Sequence, residues 1–377
     1  MNKNIVKVLA ILVLVCTFGS LMVACKKHEH TFVEGKCECG ETDPNYKPEE
    51  TPALGDYKLG LGTVISLDSS KTGTAQIDGT IAAVVLDKDG KIVLCRIDAI
   101  QNKIPVADGF VEVPASFKTK MELGDDYNMA KYGQNQDRNG DGVVKEWYEQ
   151  AKAFETWCIG KTVDEVKNMA TQTQDDGYVI PADEALLSAG CTIQITDFIA
   201  ATVKACNDEF AVSFQSAGNF TLGVAANSYN DGSKDAEDEA TDGAVQVYSD
   251  IAASVVENGK IVASLNDAVQ PKIGFNVAGE ITTKTFKGTK RELKEGYNMA
   301  AYGQPNVEGG TVKEWYVQSA AFSAYVVGKT GAEVKALETK EVNAHQISTD
   351  EALLNAGCTI QITGIKAVVG KSVDNAR

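Results

Sequence analysis

The side chains that could catalyse a reaction or bind a metal are few in this chain. Of its three histidines, His28 and His30 lie near the amino terminus, close to Cys37 and Cys39. Imidazole and thiolate are the ligands that zinc prefers, although zinc ribbons usually separate paired cysteines by two residues rather than one. We predict a zinc site at these four residues; a solvated tether or a Cys37–Cys39 disulfide are the alternatives. So few histidines make a Ser-His-Asp or Cys-His enzyme hard to build, which favours a binding or carrier protein.

A second candidate metal site follows the pattern of a calcium loop. The segment DRNGDG places oxygen-bearing side chains at the first, third and fifth loop positions: Asp137, Asn139 and Asp141. Gly142, at the sixth position, permits the sharp turn that such loops need. The twelfth position normally supplies a bidentate acid but is Tyr148 here, so Glu146 or Glu149 would have to replace it. The pattern predicts calcium at 137–146, or else an ordinary turn rich in Asp and Gly.

An internal repeat is the strongest pattern in the chain. ADEALLSAGCTIQIT at 182–196 returns as TDEALLNAGCTIQIT at 349–363, with 13 of 15 positions identical. Shorter matches keep the same order at a similar offset, as in YNMAKYGQ (127–134) with YNMAAYGQ (297–304) and VKEWY (144–148) with VKEWY (312–316). A period this long indicates a duplicated domain rather than a solenoid turn. We place the two domains at 57–206 and 207–377.

Each copy has the pattern of an α+β unit. Apolar runs flank Asp89-Gly90 in the first copy and Asn258-Gly259 in the second, which predicts a β-hairpin in each. A helix follows, with apolar residues spaced to share one face: Trp147, Ala151, Phe154 and Cys158. The alternation in CTIQIT predicts a closing, half-buried strand. The predicted fold class is therefore α+β: two tandem duplicated domains, each an antiparallel sheet with packed helices, after a signal peptide and a flexible linker. Most cysteines are expected to be small buried hydrophobic residues.

The repeated Ala-Gly-Cys-Thr segment, at 189–192 and 356–359, carries a resemblance to a known family. With its hairpin and helix, each copy resembles FMN-binding-type domains, in which the threonine of a late Ser-Gly-Ala-Thr segment carries flavin mononucleotide (FMN) through a phosphodiester bond. The resemblance implies FMN at Thr192 and Thr359, beside Gly190 and Gly357. The alternative is that both threonines are ordinary strand residues facing water. The repeat is also similar to a group of Firmicutes lipoproteins with KEWYEQ, GKT and DYxM motifs, which implies no settled activity.

The first residues have the pattern of an export signal. Lys3 and Lys7 precede an uncharged apolar run from Val8 to Ala24, and Cys25 follows. The segment LMVAC resembles a bacterial lipobox, which implies a lipoprotein signal peptide at 1–24, lipidation at Cys25 and an extracytoplasmic protein anchored to the cell membrane. A single membrane-spanning helix is the alternative. Prolines and acids at 25–56 then predict an extended tether.

The charge balance excludes some partners. With 36 Lys and Arg against 52 Asp and Glu, the net charge is −16, which argues against nucleic acid and against a polybasic grip on lipid. The leading hypothesis is a flavin-based electron carrier at the cell surface, served by a membrane electron donor. Its rivals are a metal-binding lipoprotein and a cofactor-free ligand-binding or adhesion protein. The metal-binding rival would act through His28, His30, Cys37 and Cys39, and the cofactor-free rival through polar sites at the repeated Tyr-Asn-Met-Ala loops. Polar residues retained in both copies indicate a shared site, or else shared caps and turns: Tyr127, Asn128, Gln134, Lys145 and Glu146.

Overall fold

The computed structural model of this chain describes residues 32–33, 36–37, 53–132, 137–138, 140, 142–303, 305–307 and 310–377. Residues 53–377 form one compact unit, and residues 1–52 belong to another. In the latter, two short strands pair antiparallel, with Phe32 opposite Cys37 and Val33 opposite Lys36. The signal segment and Cys25 lie outside the described residues. Within the described part, no helix is long and apolar enough to cross a membrane.

The regular elements alternate between long strands and short helices. In chain order the strands are β1 (Phe32–Val33), β2 (Lys36–Cys37), β3 (Gly55–Ser66), β4 (Thr74–Asp87), β5 (Ile92–Ala107), β6 (Phe110–Val111), β7 (Thr171–Thr173), β8 (Val179–Pro181), β9 (Val212–Ser216), β10 (Phe220–Asn230), β11 (Gly243–Glu257), β12 (Lys260–Val269), β13 (Lys272–Phe275), β14 (Ile281–Thr285), β15 (Thr339–Val342) and β16 (His345–Ser348). The helices are α1 (Lys120–Leu123), α2 (Met129–Tyr132), α3 (Trp147–Cys158), α4 (Val163–Lys167), α5 (Glu184–Ser188), α6 (Thr196–Cys206), α7 (Lys290–Leu293), α8 (Met299–Tyr302), α9 (Trp315–Tyr325), α10 (Gly331–Lys335), α11 (Glu351–Asn355) and α12 (Thr363–Asp374). Single 3₁₀ turns follow α1 and α7, at Gly124–Tyr127 and Lys294–Tyr297.

Two antiparallel sheets dominate the compact unit. The first has the order β6-β5-β4-β3-β9, and the second has the order β10-β11-β13-β14 with β12 also paired to β11. The predicted hairpins are confirmed: β4 turns into β5 through Gly90, and β11 turns into β12 through Asn258-Gly259, all with positive φ. Strand β9 follows the first copy in sequence but pairs with β3, which ties the second copy to the first sheet.

The two sheets share one apolar core. On β4, Ile81, Ala83 and Val85 face the second sheet, while Ala82 and Val84 face helices of the first copy. Successive residues of a strand point to opposite faces, so an unbroken apolar run means burial on both sides. Helices α3 and α6 cover the outer face of the first sheet, and α9 and α12 cover that of the second. The antiparallel sheets with packed helices agree with the predicted class, in a mixed α/β arrangement.

The copies also contact each other through reciprocal ion pairs. Lys204 Nζ on α6 lies 2.6 Å from Glu292 Oε1, and Lys371 Nζ on α12 lies 2.7 Å from Glu122 Oε1. By the sequence repeat, Lys371 is the counterpart of Lys204 and Glu292 is the counterpart of Glu122. The same contact is therefore made twice with the roles exchanged.

The closing strand predicted for CTIQIT is wrong. Gly190, with a φ of 82°, ends α5, and Cys191 N–H donates to Leu186 O over 3.1 Å. The segment then runs as an irregular loop until α6 begins at Thr196. Cys191, Ile193 and Ile195 do enter the core as the alternation suggested. An extended loop gives the same two-residue period as a strand, so periodicity alone could not separate them.

Candidate functional site

A cavity of about 330 Å³ lies in the second copy. Its aromatic walls come from four side chains: Tyr229, Tyr248, Tyr297 and Trp315. Its polar groups include two acids, a lysine and a threonine from the repeated segment: Asp231, Asp250, Lys290 and Thr359. The volume is at the lower end of the roughly 300–1,000 Å³ that small-molecule sites occupy, and aromatic walls with a few polar groups are typical of such sites.

Neighbouring strands and two helix starts bring these side chains together. Tyr229 on β10 lies opposite Tyr248 on β11, and their rings stack with centroids 5.2 Å apart. Lys290 begins α7, where Thr289 caps the helix through Glu292 N–H. Trp315 begins α9. The site thus depends on two strands and two helices that are far apart in the sequence.

Lys290 is buried among the aromatic rings. Its side chain is 6% exposed, and Nζ lies 4.4 Å from the ring centroid of Tyr248, 4.3 Å from that of Tyr297 and 5.6 Å from that of Trp315. Burial lowers the pKa of Lys290 to about 8, and the nearby carboxylate of Asp250 opposes this shift. An ammonium over aromatic faces is stabilised by the ring quadrupoles.

Asp250 supplies the matching acid. It is 2% exposed on β11, and burial raises its pKa to about 7, opposed by the charge of Lys290 and by the Tyr229 hydroxyl, which donates to Oδ2 over 3.4 Å. Gly364 makes room for this carboxylate, because a Cβ at that position would lie 2.0 Å from Asp250 Oδ2. The first copy has Asp197 at the position that corresponds to Gly364. Two groups that titrate near neutral pH in one cavity mark a functional-site candidate.

Thr359 lies half-buried on the cavity wall. Its backbone N–H donates to Gln318 Oε1 over 2.8 Å, and its hydroxyl donates to the same oxygen over 3.2 Å. Gln318 is fixed in turn, since its Nε2 donates to Lys313 O over 2.7 Å. Gly357 has a φ of 95°, as expected for the glycine of this segment, and the Lys313 side chain lies against it. Helix α9 thereby sets the position of the threonine.

Thr192 has the same supports but not the same access. Its N–H donates to Gln150 Oε1 over 2.8 Å, and Gln150 Nε2 donates to Lys145 O over 2.8 Å. Lys145 Nζ donates to Ala189 O over 2.9 Å, beside Gly190. Thr192 is, however, only 4% exposed, so the expectation that it faces water is wrong. The two copies share a local architecture and differ in the exposure of the threonine.

The other residues retained in both copies start helices and form turns. Glu146 accepts from Met129 N–H over 2.9 Å and from Ala130 N–H over 3.1 Å, and Glu314 accepts from Met299 and Ala300 over the same distances. Asn128 takes the left-handed conformation between the 3₁₀ turn and α2, with a φ of 58°. Gln134 lies outside the described residues. Among the described members of this set and their second-copy counterparts, Tyr297 is the one that lines the cavity.

The structure bears only in part on the predicted metal sites. The carboxylate oxygens of Asp137 accept from Gly140 N–H over 2.9 Å and from Gly142 N–H over 2.8 Å. Asn139 and Asp141 lie outside the described residues, as do His28, His30 and Cys39 and the side chain of Cys37. Over the part of the chain that the structure describes, no group of three or more His, Cys, Asp or Glu residues could hold a metal ion.

Four cysteines of the compact unit are buried and unpaired, as predicted: Cys95, Cys158, Cys191 and Cys358. Burial raises the pKa of Cys191 and of Cys358 to about 12. The cysteine in the repeated segment therefore fills core space beside the threonine.

Sequence reasoning missed the centre of the cavity. The dipeptide Thr289-Lys290 repeats Thr119-Lys120 of the first copy, and this repeat was the sequence pattern that could have pointed to Lys290. Tyr248 replaces Asp78 of the first copy, so no repeat could have revealed it. The contacts between these residues come from the tertiary fold.

Comparison with protein-family models, with curated proteins and with solved structures finds no match for this chain. The resemblance to FMN-binding-type domains therefore depends on the repeated segment together with the hairpin and helix of each copy. In the structure, Thr359 borders an aromatic cavity that also contains the buried Lys290, and the cation of Lys313 lies beside Gly357.

Proposed function

We propose that this protein is an exported, lipid-anchored electron carrier that binds one FMN in its second copy, with Thr359 as the point of attachment. One observation carries the proposal: the threonine implied by the resemblance lies on the wall of an aromatic cavity large enough for a small molecule. In this proposal the chain consists of a signal peptide at 1–24, a tether at 25–56 and duplicated domains at 57–206 and 207–377.

The residues around the cavity fit a flavin. Tyrosine and tryptophan rings offer faces against which a flat ring system can stack. The amide groups of Gln270 and Gln361 line the same space, and amide groups can both donate and accept hydrogen bonds. Lys313, beside Gly357, provides a cation close to the attachment point for the phosphate. When bound, the flavin supplies the redox chemistry, and the protein holds and orients it.

Attachment needs a transferase and an activated flavin. We infer a flavin dinucleotide as the donor, because its phosphoanhydride bond is already activated. The Thr359 Oγ–P bond forms, the phosphoanhydride bond breaks, and a nucleoside monophosphate leaves while the hydroxyl proton passes to a base of the transferase. Gln318 Oε1 accepts from that hydroxyl in the free protein and so orients the attacking oxygen. The low exposure of Thr192 favours one flavin per chain rather than two.

Mass spectrometry of the exported protein from its native host tests this directly. The wild-type protein should be yellow, with one FMN increment on the peptide that holds Thr359. Thr359→Val should remove the increment, and the matched Thr192→Val variant should keep it. A colourless wild-type protein with the mass of the lipidated polypeptide alone would end the proposal. Release of a Cys25→Ala variant from the membrane fraction tests the anchor separately.

A second function has one observation in its favour. The repeated YNMAxYGQ segments present Tyr132 and Tyr302, whose exposed fractions are 76% and 83%. Exposed aromatic residues are enriched at binding interfaces, which favours a cofactor-free adhesion protein. A colourless protein that loses surface binding on Tyr302→Ser, while keeping its fold, would support this candidate over the flavin carrier.

A further inference from the structure

We propose that Lys290 recognises the pyrimidine end of the flavin ring, donating to a carbonyl oxygen there, and favours the reduced form of the ring. This inference rests on the proposed function and deepens it. It places the flavin ring in the part of the cavity beside Lys290, which makes Lys290 a specificity-determining residue.

The Lys290 ammonium has N–H donors to spare. Lys290 is 6% exposed and lines the cavity. Among the described residues, no acceptor lies within hydrogen-bonding distance of its Nζ and no carboxylate lies within ion-pair distance. The three aromatic rings attract the charge but accept none of its N–H groups in ordinary hydrogen bonds. Because Lys290 lines the cavity, an oxygen of a bound ligand can accept from its ammonium.

The polar groups around Lys290 match one edge of a flavin ring. Asp250 accepts hydrogen bonds when ionised, and the Gln270 amide, which already donates to Asp231 Oδ2, keeps a second N–H for a ligand. An imide edge presents carbonyl, N–H and carbonyl in sequence, which needs a donor, an acceptor and a donor from the protein. The pyrimidine end of a flavin is such an edge. Trp315 borders the cavity next to Lys290 and adds an aromatic wall on that side.

The charge of Lys290 opposes the charge of the reduced ring. Two electrons and one proton added to oxidised flavin give a reduced ring with one negative charge, which resides largely at the pyrimidine end. The protein as a whole has a net charge of −16 and disfavours that charge. A desolvated ammonium at hydrogen-bonding distance acts more strongly than distant surface acids, because buried charges are poorly screened. Removing the ammonium should therefore shift the couple towards the oxidised form.

The midpoint potential of the full chain with its flavin tests the inference, using a reference dye and dithionite as the reductant. Lys290→Met should change the ratio of oxidised to reduced flavin at a fixed potential by tenfold or more, about 30 mV for a two-electron couple. Lys290→Arg keeps the charge and should stay within threefold of the wild type. The control is Lys120→Met, its first-copy counterpart, with Nζ 4.8 Å from the Tyr127 ring centroid; it should leave the potential unchanged.

The outcomes separate this inference from the proposed function. A wild-type protein without flavin removes both. A flavin-loaded Lys290→Met protein with an unchanged potential overturns the role of Lys290 and leaves the carrier function standing. If Lys290→Met does not fold, Lys290→Gln takes its place and must shift the potential in the same direction. A purely structural lysine would change thermal stability and leave the potential where it was.

Discussion

Removal of the Glu314 carboxylate should both destabilise the protein and open its cavity. Glu314 precedes α9 and accepts from Met299 N–H over 2.9 Å and Ala300 N–H over 3.1 Å. These bonds hold the start of α8, directly after Tyr297, against the helix that begins with Trp315. In Glu314→Ala, two backbone donors lose a charged acceptor, and the Tyr297 wall loses its fixed position.

The expected magnitude follows from those two bonds. A hydrogen bond to a charged group contributes about 1.5–3 kcal/mol, but water can replace part of it at this half-buried site, so the free energy of unfolding should fall by about 2–4 kcal/mol. Glu314→Gln retains one acceptor oxygen and should lose about half as much. Urea denaturation measures the loss as a lower midpoint at an unchanged slope.

The first copy provides the control. Glu146→Ala removes the equivalent bonds to Met129 and Ala130, so it should destabilise the protein by a similar amount. FMN loading should fall in Glu314→Ala and stay intact in Glu146→Ala. A loss below about 1 kcal/mol in both variants, or equal loading in the two, would refute the reasoning.

Three further predictions concern charge and thiols. Because the folded pKa of Asp250 is raised to about 7, its contribution to stability should fall as pH rises from about 4 to 7 and level off above; Asp250→Asn should flatten this part of a plot of melting temperature against pH. The side chain of Arg291 lies 3.0 Å from that of Asp208 and 3.3 Å from that of Asp267, and all three side chains are buried. Arg291→Met should therefore lower the free energy of unfolding by about 3–5 kcal/mol in urea denaturation, and a loss under about 1 kcal/mol would contradict a stabilising role for the two ion pairs. A thiol reagent should leave four buried cysteines unmodified until denaturant is added: Cys95, Cys158, Cys191 and Cys358. Rapid labelling of any of the four in the native protein would count against the fold.

Local patterns predicted the local structure well. Asp89-Gly90 and Asn258-Gly259 specified tight turns because such residues accept positive φ at low cost, and the turns are there. The stripe from Trp147 to Cys158 faces the core of the first copy, as its spacing requires. The run at 81–85 also contained a signal of burial on both faces, since a strand with one face in water alternates apolar and polar residues.

The shared core and the cavity could not be predicted in the same way. Burial on both faces of β4 does not say which surface covers it, and the partner proved to be the other copy. The cavity combines β10 and β11 with residues more than a hundred positions later, and no local pattern records such contacts. Gly364 is a clear example: the repeat marks it as a change from Asp197, but only the position of Asp250 explains why a glycine is needed there.

The reciprocal ion pairs between the copies have an evolutionary consequence. Lys204 with Glu292 and Lys371 with Glu122 are one contact made twice with exchanged roles, as across the two-fold axis of a symmetric homodimer. An ancestor with a single copy could have assembled in this way, with two identical subunits burying the faces of their sheets against each other. Fusion into one chain fixed the partners at equal numbers and released each from the need to remain identical. One half could then open its threonine to a cavity while the other closed around its own, giving in a single polypeptide the asymmetry of a heterodimer.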